Sequence, residues 1–269
     1  MTERIPPPPP RGMVRVRMTV AYDGAPFHGF ARNPGVATVQ GLLEDALGRV
    51  LGHDVGLSCA GRTDRGVHAR RQVVSFDADR DRLDEARLVR SVNKLGAPAV
   101  VVTAIRRVGP DFDARLSCTG RVYRYRVLNS TFPDPLLAPL TWHVSEPLSV
   151  AAMRIASDRL LGEHDFSSFC RRNKSRPEES LVRQVTAAEW TEDGDILSFS
   201  IAANAFCHHM VRSVVGTIVD VGRGRRAAAD MGPILEARDR ETASGPAPPH
   251  GLVLWAACYD PRPRGQNRG

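Results

Sequence analysis

Lysine is nearly absent from this sequence, although the chain is strongly basic. Only two of its 37 lysine and arginine residues are lysines, Lys94 and Lys174, and the formal net charge is +7. Arginine presents a planar fork of donors that matches phosphate oxygens, but a genome rich in arginine codons would produce the same composition without a polyanionic partner. The composition therefore permits nucleic-acid binding without deciding it.

The sequence also lacks closely spaced cysteines and long apolar runs. Its five cysteines show no Cys-x-x-Cys spacing, so neither a zinc site nor a disulfide framework is indicated, and we expect reduced thiols. No run approaches the roughly 18 consecutive apolar residues that cross a membrane, and the first residues lack the apolar core of a signal peptide. We therefore expect a cytoplasmic protein with no membrane contact and no metal. The cysteines are Cys59, Cys118, Cys170, Cys207 and Cys258.

Hydrophobic periodicity predicts strands and helices in both halves of the chain. In the first half the pattern predicts a strand from Val14, a helix after Thr38, a helix over 84–95, and strands over 99–105 and 121–128. In the second half it predicts a helix over 149–161, a strand over 196–203, a helix over 205–221 and a strand over 251–259. Two such units with many antiparallel neighbours indicate an α+β fold.

Proline-rich segments divide the predicted organisation into five parts. Residues 1–12 contain five consecutive prolines and are expected to be a disordered tail, as are residues 261–269. Residues 13–128 form a predicted N-terminal subdomain and residues 149–260 a C-terminal one. The four prolines within residues 129–148 predict a connection between them.

One loop holds the most distinctive pattern in the chain. In the run Ala60 to Ala69, an aspartate, Asp64, lies between Arg62 and Arg65, with a glycine on either side. Glycine permits positive φ angles and close approach to a ligand, and guanidinium groups within contact distance lower the pKa of a carboxyl. Asp64 is therefore a candidate nucleophile, although aspartate is also an ordinary turn residue in such a run.

Motifs along the whole chain resemble those of the tRNA pseudouridine synthase A family. The Asp64 loop is similar to the family's Gly-Arg-Thr-Asp-x-Gly-Val-His-Ala motif, and further blocks match in order between Val14 and Tyr259. These blocks are Tyr22–Gly24, Phe27–Phe30, Phe112–Arg115, Arg121–Tyr125, His164–Phe169, Asn204–Arg212 and Gly251–Leu254. The chain departs from the family at 31–33, where a glutamine-containing turn is usual, and at Asp113, where histidine is common.

The resemblance implies an isomerase that converts uridine to pseudouridine at positions 38 to 40 of tRNA, without a cofactor. It further implies a homodimer, and two α/β subdomains with mixed, largely antiparallel sheets that meet at a central basic cleft. The implied catalytic residues are Asp64 as the nucleophile, Arg62 beside it, Tyr123 either stacked on the uracil or helping to handle the C5 proton, and Arg212 as the partner that keeps Asp64 ionised. The implied RNA contacts are Phe112, Arg115, Arg171, Arg172, Lys174 and Arg176.

Several of these residues also have a purely structural interpretation. Tyr123 would then pack in the core, Arg212 would be a solvated surface arginine, and residues 171–176 would form a solvated loop. His208 and His209 adjoin on the predicted helix and would point about 100° apart, so we expect packing or RNA-proximal roles and no shared metal site.

Two other functions stay open from the sequence. One is an RNA-binding module or RNA chaperone that has lost turnover. The other is a hydrolase that releases uracil, which would ordinarily need a second carboxylate to activate water.

Overall fold

The computed structural model describes residues 6–172 and 178–259. Within them, five α-helices and one ten-stranded, mostly antiparallel sheet form the predicted α+β fold, which is confirmed. The strands are β1 (Met13–Tyr22), β2 (Ser58–Cys59), β3 (His68–Asp79), β4 (Val100–Arg107), β5 (Gly120–Asn129), β6 (Trp142–Val144), β7 (Gly162–Asp165), β8 (Val182–Asp193), β9 (Ile196–Ala203) and β10 (Leu252–Cys258). The helices are α1 (Val39–Leu51), α2 (Glu85–Gly96), α3 (Val150–Asp158), α4 (Met210–Gly222) and α5 (Met231–Ala237). None of the helices in this described portion is long and apolar enough to span a membrane.

The sheet runs through both halves of the chain without a break. Its strand order is β4-β1-β3-β10-β5-β9-β8-β7, with β2 beside β3 and β6 beside β5. Strand β10 pairs in parallel with β3 and antiparallel with β5, so it joins the strands of the first half to those of the second. The connection predicted over 129–148 contributes the short strand β6 to this sheet. The division into two subdomains stays a prediction.

Local sequence chemistry explains where α1 begins and ends. The hydroxyl of Thr38 accepts a hydrogen bond from the amide of Gly41, which satisfies one of the free N–H groups at the start of a helix. The helix ends at Gly52, which has a φ of +76°, the left-handed conformation that glycine adopts without strain. Val39, Leu43 and Leu47 lie on its buried face, as the periodicity predicted.

Helix α4 is shorter than predicted. It begins at Met210 and not at Ala205, because His209 has a φ of +67° and interrupts the helical backbone. Residues 205–209 therefore form a turn between β9 and α4. Every residue of α4 is buried except Arg212 and Asp220, so Arg212 is one of only two residues of this helix that are partly exposed.

Candidate active site

A cleft with a volume of about 1120 Å³ is lined by residues from both halves of the sheet. Its walls come from the loop before β3, from β5, from residues 171–172 and 179–183, and from the turn before α4. Arginines dominate its charged lining. The cleft arginines are Arg62, Arg115, Arg121, Arg171, Arg172, Arg183 and Arg212.

Asp64 lies in this cleft with 27% of its side chain exposed. Its Oδ2 is 3.5 Å from Nη1 of Arg212 and 3.6 Å from Nε2 of His209. Its Oδ1 is 3.3 Å from Nε2 of His208. Each oxygen of the carboxylate thus faces a nitrogen from the turn or the first helical residues after β9.

The surroundings of Asp64 favour its ionised form. Burial raises the pKa of this carboxyl, but the contacts of His208, His209 and Arg212 outweigh burial and leave the pKa below its ordinary value. Within the described chain, the flanking Arg62 and Arg65 are not ion-pair partners of Asp64. The flanking arginines would lower this pKa only from within contact distance, and the stabilising groups come instead from the other half of the molecule, where Arg212 is the partner that the family resemblance implied.

Hydrogen bonds fix the backbone on which Asp64 is presented. The Thr63 carbonyl accepts from the amide of Phe30 at 3.0 Å, and the Thr63 hydroxyl lies 2.8 Å from the Tyr22 hydroxyl. The Gln72 side-chain amide donates to the Gly61 carbonyl at 2.6 Å. These bonds anchor the part of the loop that precedes Asp64 to β1, to β3 and to the segment after β1.

Tyr123 forms part of the cleft wall and is almost completely buried. Its ring packs edge-on against Phe206, with ring centroids 5.0 Å apart. Burial raises the pKa of the Tyr123 hydroxyl well above its ordinary value, so the hydroxyl stays protonated at neutral pH. Tyr123 therefore packs in the core and also lines the cleft, two positions that the sequence left as alternatives.

Arg121 links the Asp64 loop to the second half, a role that sequence analysis missed. Its guanidinium donates to the Ala60 carbonyl at 2.6 and 2.9 Å and to the Asn204 carbonyl at 2.7 Å. The position of Arg121 two residues before Tyr123 on one strand face is the signal that could have revealed it.

The side chains of His208 and His209 both point toward Asp64, contrary to expectation. They lie in the turn before α4, their ring centroids are 4.1 Å apart, and both reach Asp64. The prediction that they point apart is wrong, because it assumed a helical backbone where His209 is left-handed. Burial, followed by the electrostatic effect of the neighbouring imidazole, lowers the pKa of His209.

Two histidines and a carboxylate are also a donor set that could hold a metal ion. The three ligand atoms lie within 4.8 Å of one another. The Arg212 guanidinium is, however, 3.5 Å from Oδ2 of Asp64, and it already neutralises the carboxylate that a divalent cation would need. This arrangement favours a charge-stabilised aspartate over a metal centre.

Cys170 and Cys207 lie side by side, with their Cα atoms 5.8 Å apart, although they are 37 positions apart in sequence. The amide of Arg171 donates to the His208 carbonyl at 2.9 Å beside this cysteine pair. This bond holds the backbone of Arg171 against the turn that carries the two histidines.

The residues assigned to RNA contact occupy different places. Arg115, Arg171 and Arg172 line the cleft, whereas Lys174 and Arg176 lie outside the described residues. Phe112 packs against Tyr259 with ring centroids 5.2 Å apart, away from the cleft lining.

The departure at Asp113 has a structural role. Its carboxylate accepts hydrogen bonds from the Ser58 hydroxyl at 3.0 Å and from the Arg115 amide at 2.8 Å. The acid is thus occupied in a turn that carries Arg115.

Comparisons with known proteins find similarity over nearly the whole chain. A family model described as tRNA pseudouridine synthase matches residues 156–260. A tRNA pseudouridine synthase A from Methylobacterium sp. (strain 4-46) is 42% identical over 248 residues, which cover 92% of this chain and 98% of the relative. A tRNA pseudouridine synthase A from Myxococcus xanthus is 40% identical over 259 residues, 96% of each chain. One from Halalkalibacterium halodurans is 43% identical over 242 residues, 90% of this chain and 91% of the relative.

Proposed function

The chain belongs to the tRNA pseudouridine synthase A family, a family of isomerases, and from this membership we propose that it converts uridine to pseudouridine in the anticodon arm of tRNA, at positions 38 to 40, with Asp64 as the nucleophile. The observation that carries the proposal is the ionised, half-buried carboxylate of Asp64 inside an arginine-lined cleft.

The reaction explains why such a carboxylate is useful. The bond from C1′ to N1 breaks, the uracil turns, and a bond from C1′ to C5 forms, with no net change in atoms or electrons. Positive charge develops on the sugar as the first bond breaks, and an anionic oxygen beside C1′ stabilises it or attacks it. Asp64 supplies that oxygen, and Arg212 keeps it ionised and oriented.

The cleft offers surfaces for the rest of an extruded nucleotide. The buried pair of Tyr123 and Phe206 forms an aromatic wall against which a flipped uracil can pack. We assign phosphate contacts to Arg115, Arg171 and Arg172, because guanidinium groups match phosphate oxygens in pairs. Arg62 lies on the cleft wall and is assigned to the space that the flipped nucleotide leaves. Phe112, Lys174 and Arg176 keep their assignment to RNA contact from the family resemblance alone.

We also propose a cytoplasmic homodimer in which one tRNA spans both subunits. This part of the proposal is supported by the family resemblance. Sedimentation equilibrium of the free protein and of its tRNA complex tests it, since a monomer in both would contradict it.

The activity is tested with tRNA labelled with tritium at C5 of uridine. The isomerase releases tritium without free uracil, a hydrolase releases uracil, and a binding module releases neither. Asp64→Asn is expected to lower turnover by about 10³-fold or more while tRNA affinity stays near that of the wild type. Asp81→Asn serves as the matched control, because Asp81 is an exposed aspartate outside the cleft lining. Full activity of Asp64→Asn would contradict the assignment of the nucleophile.

A further inference from the structure

Isomerisation of uridine requires a proton to leave C5 of the uracil. When the bond from C1′ to C5 forms, C5 holds both the sugar and its original hydrogen. Removal of this hydrogen as a proton returns its bonding pair to the ring and restores the double bond between C5 and C6. N1, freed from the sugar, takes up one proton, so the exchange is balanced without an oxidant or reductant. The site therefore needs a proton acceptor near C5.

Most side chains that line the cleft cannot accept this proton at neutral pH. Burial raises the pKa of Tyr123 far above its ordinary range and that of Cys59 to about 11, so both stay protonated. The arginines stay charged, and Asp64 is engaged with the sugar. The other titratable acceptors in the described part of the lining are Glu179, His208 and His209.

His208 lies close to the place where the new bond forms. Its Nε2 is 3.3 Å from Oδ1 of Asp64. Asp64 must contact C1′, and C5 ends at a bonding distance of about 1.5 Å from C1′, so C5 passes within a few ångströms of the carboxylate. An imidazole in contact with that carboxylate is within reach of the C5 hydrogen.

The other two candidates suit the task less well. His209 is 23% exposed and its lowered pKa makes it a weaker base, whereas 46% of the His208 side chain is exposed and can pass a proton to solvent. Glu179 interacts electrostatically with Arg183, and no described contact joins it to Asp64.

We propose that His208 is the general base that removes the C5 proton during isomerisation. The inference rests on the proposed function, because it assigns a step of that same reaction. Before substrate binds, Asp64 orients the imidazole, and the hydrogen bond from the Arg171 amide to the His208 carbonyl holds its backbone. His209 is a positioning residue, because its left-handed backbone turns both rings toward the carboxylate.

Single-turnover kinetics with [5-²H]uridine tRNA and ordinary tRNA test this role. We expect His208→Gln to lower the rate about 10²- to 10⁴-fold, the usual contribution of a positioned base. Proton removal then becomes the slow step, so deuterium at C5 slows His208→Gln more than it slows the wild type. Imidazole added to His208→Ala should restore part of the rate. His53→Gln is the matched control, because this histidine lies in the turn after α1 and outside the cleft lining.

The outcomes separate the possible failures. His208→Gln should bind tRNA with the affinity of the wild type, which shows that the variant is folded. A wild-type rate, or a slow rate without a larger isotope effect, overturns the role of His208. An enlarged isotope effect in His209→Gln alone overturns it in favour of His209. A wild type that binds tRNA but forms no pseudouridine overturns the proposed function itself.

Discussion

Asp64 keeps its charge because side chains from a distant part of the chain surround it. The carboxylate is partly removed from water, which opposes ionisation, and contacts from the residues around the start of α4 reverse this effect. The role proposed for Asp64 thus depends on the distance between its loop and the start of α4.

Replacing Arg212 tests this dependence. We expect Arg212→Gln to raise the pKa of Asp64, because a positive charge 3.5 Å from its Oδ2 is lost while burial stays. Activity that requires ionised Asp64 falls as the pH drops through this pKa, so the acid limb of the rate profile moves to higher pH. Loss of orientation lowers turnover at pH 7 by roughly 10²-fold.

Arg212→Lys is the matched variant, since it preserves the charge but not the bond from Nε of Arg212 to the Ala247 carbonyl. Its acid limb should lie closer to that of the wild type. Identical pH profiles for Arg212→Gln and the wild type, measured as kcat/KM between pH 4 and 8, would contradict the electrostatic role.

Part of the candidate site could be predicted from the sequence. The motif around Asp64 and the block around Arg212 named two residues that the structure brings together. The participation of His208 and His209 could not be predicted, because a positive φ at a residue other than glycine depends on tertiary packing. Arg212 was the partner that the family resemblance implied for Asp64, whereas the two histidine contacts depend on the backbone of the turn before α4.

Helix α4 connects the site to the core, and its close packing depends on a missing side chain. A Cβ added at Gly216 would lie 2.1 Å from the Gly245 carbonyl oxygen, so the helix and the chain segment before β10 touch backbone to backbone. The segment before β10 also contacts Arg212, because the Arg212 carbonyl accepts a hydrogen bond from the Ala247 amide at 2.9 Å. The close contact at Gly216 therefore fixes the position of α4, the helix that carries Arg212.

We expect Gly216→Ala to lower the free energy of unfolding by at least about 1–3 kcal/mol, because the carbonyl must move to admit the methyl group. Gly232→Ala in α5 is the matched control. Nothing lies within 4 Å of its added Cβ, so this change should be neutral or stabilise by about 0.5–1 kcal/mol. Urea denaturation monitored by circular dichroism compares the two, and equal stabilities would contradict the packing argument.

The element boundaries show which parts of the secondary structure hydrophobic periodicity predicts correctly. The strand predicted over 196–203 matches β9, and the helix predicted after Thr38 matches α1. The predicted start of α4 was too early, because the sequence of residues 205–209 is compatible with a helix as well as with the non-helical segment that the structure contains. The proximity of Cys170 and Cys207 leaves no local trace in the sequence, since the two residues are 37 positions apart and only the fold brings them together.

At the scale of the molecule, the net charge of +7 and the arginines of the cleft predict salt-sensitive binding of tRNA. Each phosphate contact that is lost should reduce the slope of log K against log salt by about 0.7–0.9. We expect this reduction for Arg171→Gln, because Arg171 is exposed at the cleft.

Arg82→Gln is the control for this measurement. Arg82 is also exposed, but it lies outside the cleft lining and pairs with Asp79 at 3.8 Å. Filter-binding titrations between 50 and 300 mM salt should give this variant the slope of the wild type. A smaller slope for both variants would indicate a diffuse effect of charge in place of a contact at Arg171.

The position of β10 has a consequence for biosynthesis. Its residues, 252–258, follow every other described strand in the sequence, yet they lie between β3 and β5. During synthesis the strands on either side are therefore made before the strand that joins them, and sheet edges that wait for a partner can pair wrongly or aggregate. We expect the loop of Asp64 and the strand of Tyr123 to reach their final spacing only after β10 has inserted between β3 and β5.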